Sequence, residues 1–197
     1  MKLLLVMLFC VLLQACTSAP DNVNYYLLHT AGEENLTNKP TQSTKIVLAK
    51  IILADYLRQN SLVLQVNKNQ LYYSALDIWA ENLEAGISKA LLTELNQQTG
   101  NYQYLRYAAP DSESASYELI VEIEHFLATN DSKVIGSGNY WLIDKISGKY
   151  IFSDRFYLQR DLTKDGYAHA VEQLRRLLSS LSQKINAGIN NMPKQPK

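Results

Sequence analysis

Three long runs in the second half of the chain set what it can become. Residues 117–129, 134–144 and 150–161 are rich in Tyr, Ile, Val, Leu and Phe. Asn130-Asp131-Ser132 turns the chain between the first two, and a turn ending in Gly148 separates the second from the third. Connections this short join antiparallel neighbours, because a parallel return needs a dozen or more residues. Within the first run Leu119, Val121 and Ile123 alternate with Glu118, Glu122 and Glu124. That period of two predicts a strand with one face in a core and one in water.

The rest of the chain supplies the other layer. Tyr25, Tyr26, Leu27 and Leu28 predict a first strand over 24–30. The polar stretch 31–44, with Gly32 and Pro40, predicts a loop. From Lys45 onward Ile46, Val47, Leu48, Ile51, Ile52 and Leu53 give a strong β signal. Residues 61–66 and 70–75 flank the turn cluster Asn67-Lys68-Asn69 and read as a hairpin. A helix is predicted from Asp77 as N-cap, with Trp79, Leu83, Ile87, Ala90 or Leu91, and Leu95 on its apolar face and Gly100 as its C-terminal cap. Tyr102, Tyr104 and Tyr107 predict a short strand, followed by a loop over 108–116. A terminal helix starts near Asp165 and buries Val171, Leu174, Leu178, Leu181 and Ile185. The economical arrangement is an α+β domain: a single, mostly antiparallel sheet of about seven or eight strands with two helices packed on one face. The sequence shows no second domain, internal repeat or low-complexity tract.

The N-terminal end carries a different message. Met1-Lys2 is followed by an uncharged apolar stretch over 3–13 and then by Gln14-Ala15-Cys16. The stretch is too short to span a bilayer, which takes about 20 residues. A charged start, a short apolar middle and a small residue at the cut describe an export signal, and Leu13-Gln14-Ala15-Cys16 looks like a bacterial lipobox. The competing readings are a buried apolar element that happens to end in Cys, and a soluble-secretion signal cut elsewhere. The abrupt polar change from Thr17 speaks against the first. The expected organisation is a signal peptide over 1–15, a lipidated tether over 16–24, one α+β domain over 25–189 and a disordered tail over 190–197. Cys10 would leave with the signal and Cys16 would carry lipid, so the mature domain would hold no thiol. Loss of Lys2 turns a balance of 19 basic and 19 acidic residues into a formal charge of −1. Nothing in that balance points to nucleic acid. Bacterial lipoproteins of this type carry several acyl chains, and more than one is needed for stable attachment. Thr17 stands where an Asp would retain such a lipoprotein in the inner membrane, which implies the periplasmic face of the outer membrane.

Chemistry-bearing groupings are sparse. His29, His125 and His169 fall in three separate elements, and none has a metal-ligand spacing. Glu122, Glu124 and His125 are the nearest thing to a cluster. On strict alternation His125 points away from the two glutamates, which leaves a solvated acidic face. There is no Gly-x-Ser-x-Gly elbow, phosphate loop or dinucleotide fingerprint. No catalytic residue, cofactor site or metal site is therefore assigned, and nothing in these residues argues for an enzyme. Gly136-Ser137-Gly138 reads as a bulge or bend in a strand, or as a place where backbone or ligand comes close. The thirteen tyrosines include Tyr72, Tyr73, Tyr102, Tyr104, Tyr140, Tyr150 and Tyr157 in predicted strands. They suit ordinary sheet packing or a protein interface. Trp79 reads as core. Arg58 reads as a surface strand end or as an interface partner for a carboxylate.

The order of these features resembles a known family. The lipobox is followed by Tyr25-Tyr26-Leu27-Leu28, by an apolar strand ending in Asp55-Tyr56-Leu57-Arg58, by Ser61-Leu62-Val63 and Leu71, and by Trp79-Ala80-Glu81-Asn82-Leu83. Gly138-x-Tyr140-Trp141 and the apolar terminal helix continue the match. This succession resembles the ABC-type transport auxiliary lipoproteins, the PqiC-like family. The resemblance implies a non-enzymatic, lipid-anchored adaptor at the outer membrane. Its partner would be an MCE-domain periplasmic protein of a lipid-transport system, and its role would support membrane integrity. Self-association into a ring would give such an adaptor several anchors. The alternatives are an assembly lipoprotein for outer-membrane proteins or lipopolysaccharide, and an envelope-modifying enzyme. The lipid reading makes one direct prediction. A Cys16→Ala variant takes up no labelled palmitate in cells and leaves the membrane fraction; label and membrane association retained by that variant would refute it.

Overall fold

The computed structural model describes residues 22–29, 43–98 and 100–191. The expected signal peptide, Cys16, most of the tether, most of the loop over 31–44 and most of the tail lie outside those residues.

Among the described residues there are nine strands and two α-helices. They run β1 (Asn24–Tyr26), β2 (Thr44–Leu48), β3 (Ile52–Leu53), β4 (Ser61–Asn67), β5 (Gln70–Trp79), α1 (Leu83–Gln97), β6 (Tyr102–Arg106), β7 (Tyr117–Thr129), β8 (Lys133–Asp144), β9 (Tyr150–Asp161) and α2 (Tyr167–Asn190). The α+β class holds, with both helices on one face. The sheet is mostly antiparallel by paired residues, as expected, but mixed rather than purely so. The long contacts β7–β8 and β8–β9 and the hairpin β4–β5 are antiparallel, but β1–β5, β2–β6, β2–β7, β3–β7 and β4–β7 are parallel. The parallel contacts join segments far apart in sequence, where no short turn announces the pairing.

β7 organises the sheet. One of its edges pairs with β8 along the whole strand, from Tyr117 opposite Asp144 to Thr129 opposite Lys133. The other edge is shared by three partners in succession: β2 at Tyr117 to Leu119, β3 at Glu122 and Ile123, and β4 at Ala128 and Thr129. The sheet therefore divides into a β2–β6 wing and a β4–β5–β1 wing.

The first helix begins later than the sequence suggests. Asn82, not Asp77, is its N-cap, and its side chain accepts from the backbone N–H of Glu84 (2.9 Å) and Ala85 (3.4 Å). Asp77 lies inside β5 at an irregularity in the pairing with β4. There Ser74 Oγ accepts from the N–H groups of Leu76 and Asp77 and donates to Asp77 Oδ2. Short polar side chains that cap helices also hydrogen-bond the backbone of bulges and turns, so the signal was ambiguous. β1 then holds residues 77–79 extended by parallel pairing. Trp79 is buried as expected, from the end of a strand rather than from the helix. At the other end α1 stops at Gln97 and Gln98 is extended, so Gly100 is not its cap.

The core fills the space between the sheet and the helices. Leu119, Val121, Ile123, Tyr140 and Leu142 pack with Ile87, Leu91 and Leu95 of α1 and with Leu174, Leu178, Leu181 and Ile185 of α2. Close approach of backbone explains one of the two glycines of β8, Gly138. A Cβ on Gly138 would overlap the carbonyl oxygen of Glu122 in β7, whereas one on Gly136 would meet only side chains, Leu177 Cδ1 nearest at 3.3 Å. On α2, a Cβ on Gly188 would meet the Phe152 ring at 2.7 Å. A backbone carbonyl inside a ladder cannot move aside as a side chain can. Gly138→Ala is therefore expected to cost about 1–3 kcal/mol, lowering the thermal midpoint by roughly 2–4 °C per kcal/mol, while Gly136→Ala stays close to the parent. Equal midpoints for the two variants would contradict this account.

Candidate functional site

The sheet face opposite the helices carries the polar groups that sequence reading singled out. Alternation places Ile120, Glu122, Ile135, Ser137, Asn139, Trp141, Arg155 and Tyr157 on it. Its centre is a β-bulge in β7. Ile123 pairs with Gly138 and His125 with Ser137, so Glu124 is the extra residue. The phase of the strand shifts there: Leu119, Val121 and Ile123 enter the core before the bulge, Phe126 and Ala128 after it. His125 consequently does not point away from Glu124. Both line a hollow of about 350 Å3 with Gln65, Ser137, Arg155 and Tyr157.

The groups around the bulge are held by one another. Asn139 Nδ2 donates to Glu122 Oε2 (3.1 Å) and Glu124 Oε1 (3.2 Å), and the Arg155 guanidinium bonds Glu124 Oε2 at 3.0 Å. His125 Nδ1 is 3.1 Å from Ser137 Oγ, and the Tyr56 ring meets the His125 ring edge-on with centroids 6.2 Å apart. The Tyr56 hydroxyl donates to the Glu124 carbonyl at 2.9 Å. Tyr56 belongs to a single 3-10 turn, Asp55–Leu57, anchored by buried Leu57. A Ser–His contact needs an acid that orients the imidazole before it becomes a nucleophile–base pair. The neighbouring carboxylate, Glu124, is instead committed to Asn139 and Arg155. The arrangement is a fixed polar surface suited to recognition.

The other predicted residues do not converge on this face. His29 Nδ1 lies 3.1 Å from Glu81 Oε1, and His169 Nδ1 lies 3.3 Å from Glu172 Oε2. Arg58 makes a local, exposed ion pair with Asp55 (3.2 Å), which fits the surface reading. Among the described residues no group of three His, Cys, Asp or Glu could hold a metal ion, and no helix is long and apolar enough to cross a membrane. The tyrosines divide between the two roles considered. Tyr104 and Tyr140 are core, and burial pushes both hydroxyls well above the ordinary value. Tyr72, Tyr150 and Tyr157 are exposed. Tyr140 also bonds Asp154 (3.3 Å), whose carboxyl is held below the usual range first by its hydrogen bond with Lys184.

Sequence reading missed Tyr56, Asn139 and Arg155 as members of the bulge network. Counting register back from the Asn130–Ser132 turn would have placed Asn139 and Arg155 level with the glutamates, had the bulge been foreseen.

A family model described as the ABC-type transport auxiliary lipoprotein component matches residues 25–186. The chain belongs to that family. It is 27% identical over 193 residues to the intermembrane transport lipoprotein PqiC of Escherichia coli (strain K12), covering 98% of this chain and 100% of the relative. A crystal structure of an uncharacterized protein superposes with TM-score 0.70 at 22% identity, over 85% of this chain and 99% of that one. Protein XCC0632 from Xanthomonas campestris superposes with TM-score 0.63 at 13% identity, over 77% and 86%. The two structures establish a shared fold. The family and its relatives are transport auxiliary lipoproteins rather than enzymes, in keeping with a non-enzymatic role.

The bulge network gives a titration test. Burial, then the neighbouring Tyr73, pushes the Tyr56 hydroxyl from 10.0 up to about 12. A group that holds its proton more tightly when folded stabilises the fold below its unfolded pKa, and that contribution is lost as pH rises through the folded value. Tyr56→Phe should lose ~1 kcal/mol at neutral pH with the Glu124 bond. Its stability should then decline less steeply than the parent's between pH 10 and about 12. Identical slopes in denaturant titrations across that window would show that Tyr56 does not titrate as described.

Proposed function

We propose that this protein is a lipid-anchored adaptor of an intermembrane lipid-transport system. Cys16 bears the acyl chains at the periplasmic face of the outer membrane, and the domain docks the outer end of a conduit built from an MCE-domain protein. The observation that carries this reading is the near full-length similarity to a protein named as an intermembrane transport lipoprotein. Two features of the fold support it. The helices close one sheet face, and the other presents a fixed polar centre beside half-buried Ile120, Trp141 and Ile143. Interfaces combine such half-apolar surface with exposed tyrosines like Tyr150 and Tyr157. Self-association of several copies, each with its own tether, would multiply the strength of attachment.

In-cell crosslinking with a photoreactive residue at Tyr157 tests the docking. Recovery of an MCE-domain protein is the expected result. Recovery of an outer-membrane barrel protein would move the protein to the assembly class. Adducts with neither, while the transport operon is expressed, would count against the adaptor reading.

A further inference from the structure

The first described strand presents an apolar surface that the fold does not use. Asn24 Nδ2 and the Tyr26 hydroxyl both donate to Asp77 Oδ1, at 3.0 and 2.9 Å, and Tyr26 packs against the core. Alternation then turns Val23, Tyr25 and Leu27 to the other side. They are 40%, 67% and 48% exposed. Tyr25 lies opposite Ile78 in the parallel β1–β5 pair. Leu76, in the irregular part of β5 just before Ile78, is also 37% exposed. Residues 22–29 and 70–80 contain no lysine or arginine. The two segments that form the patch are thus apolar and aromatic and carry no lysine or arginine side chain of their own.

Its position in the chain indicates what covers it. Val23 is seven residues beyond Cys16. Seven residues reach at most ~25 Å when fully extended. Whatever holds Cys16 therefore keeps the patch within that distance. Aromatic side chains with one polar end favour the headgroup level of a bilayer, and apolar neighbours beside them gain from entering the acyl boundary. With no lysine or arginine on residues 22–29 and 70–80, the contact these segments offer is apolar rather than an electrostatic grip on anionic lipid.

We infer that the outer side of β1, with Val23, Tyr25 and Leu27, lies on a zwitterionic phospholipid surface and sets the orientation of the domain on its membrane. The inference rests on the proposed lipid attachment at Cys16. Orientation by this edge leaves the bulge-centred part of the sheet, on β7, β8 and β9, free for a protein partner.

The test uses the full chain, lipidated in cells and reconstituted into phosphatidylcholine–phosphatidylethanolamine vesicles with or without brominated acyl chains. Tyr25→Trp and Leu27→Trp are compared with Ile146→Trp, which sits in the exposed β8–β9 turn. Emission of the parent, from Trp79 and Trp141, is subtracted. Brominated lipid should remove most of the added emission at positions 25 and 27 and leave that at 146. Loss to the same extent at all three positions, or at none, overturns the assignment. Flotation and palmitate label are read on the same samples. Labelled protein that floats with position 25 unquenched overturns the lipid surface and leaves the anchor standing. Unlabelled protein that does not float overturns both. Shielding of position 25 from brominated lipid and from aqueous iodide alike, with a doubled mass in light scattering, assigns the edge to a second copy and overturns the lipid surface.

Discussion

The backbone of β7 is the element on which the other strands depend. It makes ladders with β8, β2, β3 and β4, and through them it fixes β9, β6, β5 and β1. The edge shared by β2, β3 and β4 leaves a gap between Ile123 and Ala128. The Tyr56 hydroxyl, supplied by the turn between β3 and β4, bonds the Glu124 carbonyl within it. The bulge lies in the same gap. Without the extra residue, Phe126 and Ala128 would turn away from the helices and His125 and Leu127 would turn inward, because side chains alternate strictly along a strand. One added residue thus keeps both ends of a thirteen-residue strand in a single core. It also brings a glutamate and a histidine together on the open face.

The helical side is fixed by a few polar contacts inside an apolar layer. Arg175 of α2 and Glu94 of α1 form a mostly buried ion pair at 2.6 Å, and Gln98 Nε2 donates to Ser182 Oγ nearby. A buried pair contributes little net stability, since desolvation offsets the attraction, but removing one partner strands the other charge. Such a pair opposes sliding of one helix along the other. Lys184 reaches from α2 to Asp154 on β9 at 2.7 Å, close to the buried Tyr140 hydroxyl. The small approach distances at Gly136 and Gly188 let α2 lie close against β8 and β9.

Much of this was legible in the residues, and the failures have identifiable causes. β7 and β9 run where alternation and turn chemistry put them, and the buried face of α2 includes each of Val171, Leu174, Leu178, Leu181 and Ile185. These features are local: a period, a turn, a stripe. The parallel pairings of β1, β2, β3 and β4 join residues dozens of positions apart and leave no local mark. Asp77 was misread because Ser74 and Asp77 hydrogen-bond a bulge with the groups that elsewhere cap a helix. The grouping of Glu124 with His125 was missed for a related reason. Alternation assumes one residue per step, and nothing in Glu122-Ile123-Glu124-His125 marks the residue that breaks the count. Gly138, where a Cβ would strike the opposite carbonyl, was the one available sign.

On the proposed lipid attachment, a shallow open face would suffice as a docking surface. A free domain needs a strong, deeply apolar patch to capture a partner from dilute solution, and that patch would also invite aggregation. A short tether changes the requirement. Two modules held within reach of one another experience an effective concentration in the millimolar range. A contact worth only about −4 kcal/mol, a millimolar dissociation constant, is then half occupied. If the proposed copies associate, their tethers acting together would raise the occupancy further. Exposed Tyr150 and Tyr157 and half-buried Trp141, arranged around a network locked by Asn139 and Arg155, match that weak, orientation-dependent regime. The locked network limits the side-chain entropy lost on contact, which is the cost that decides weak association. In this account membrane attachment supplies the concentration and the open face supplies the geometry, so neither has to be strong alone.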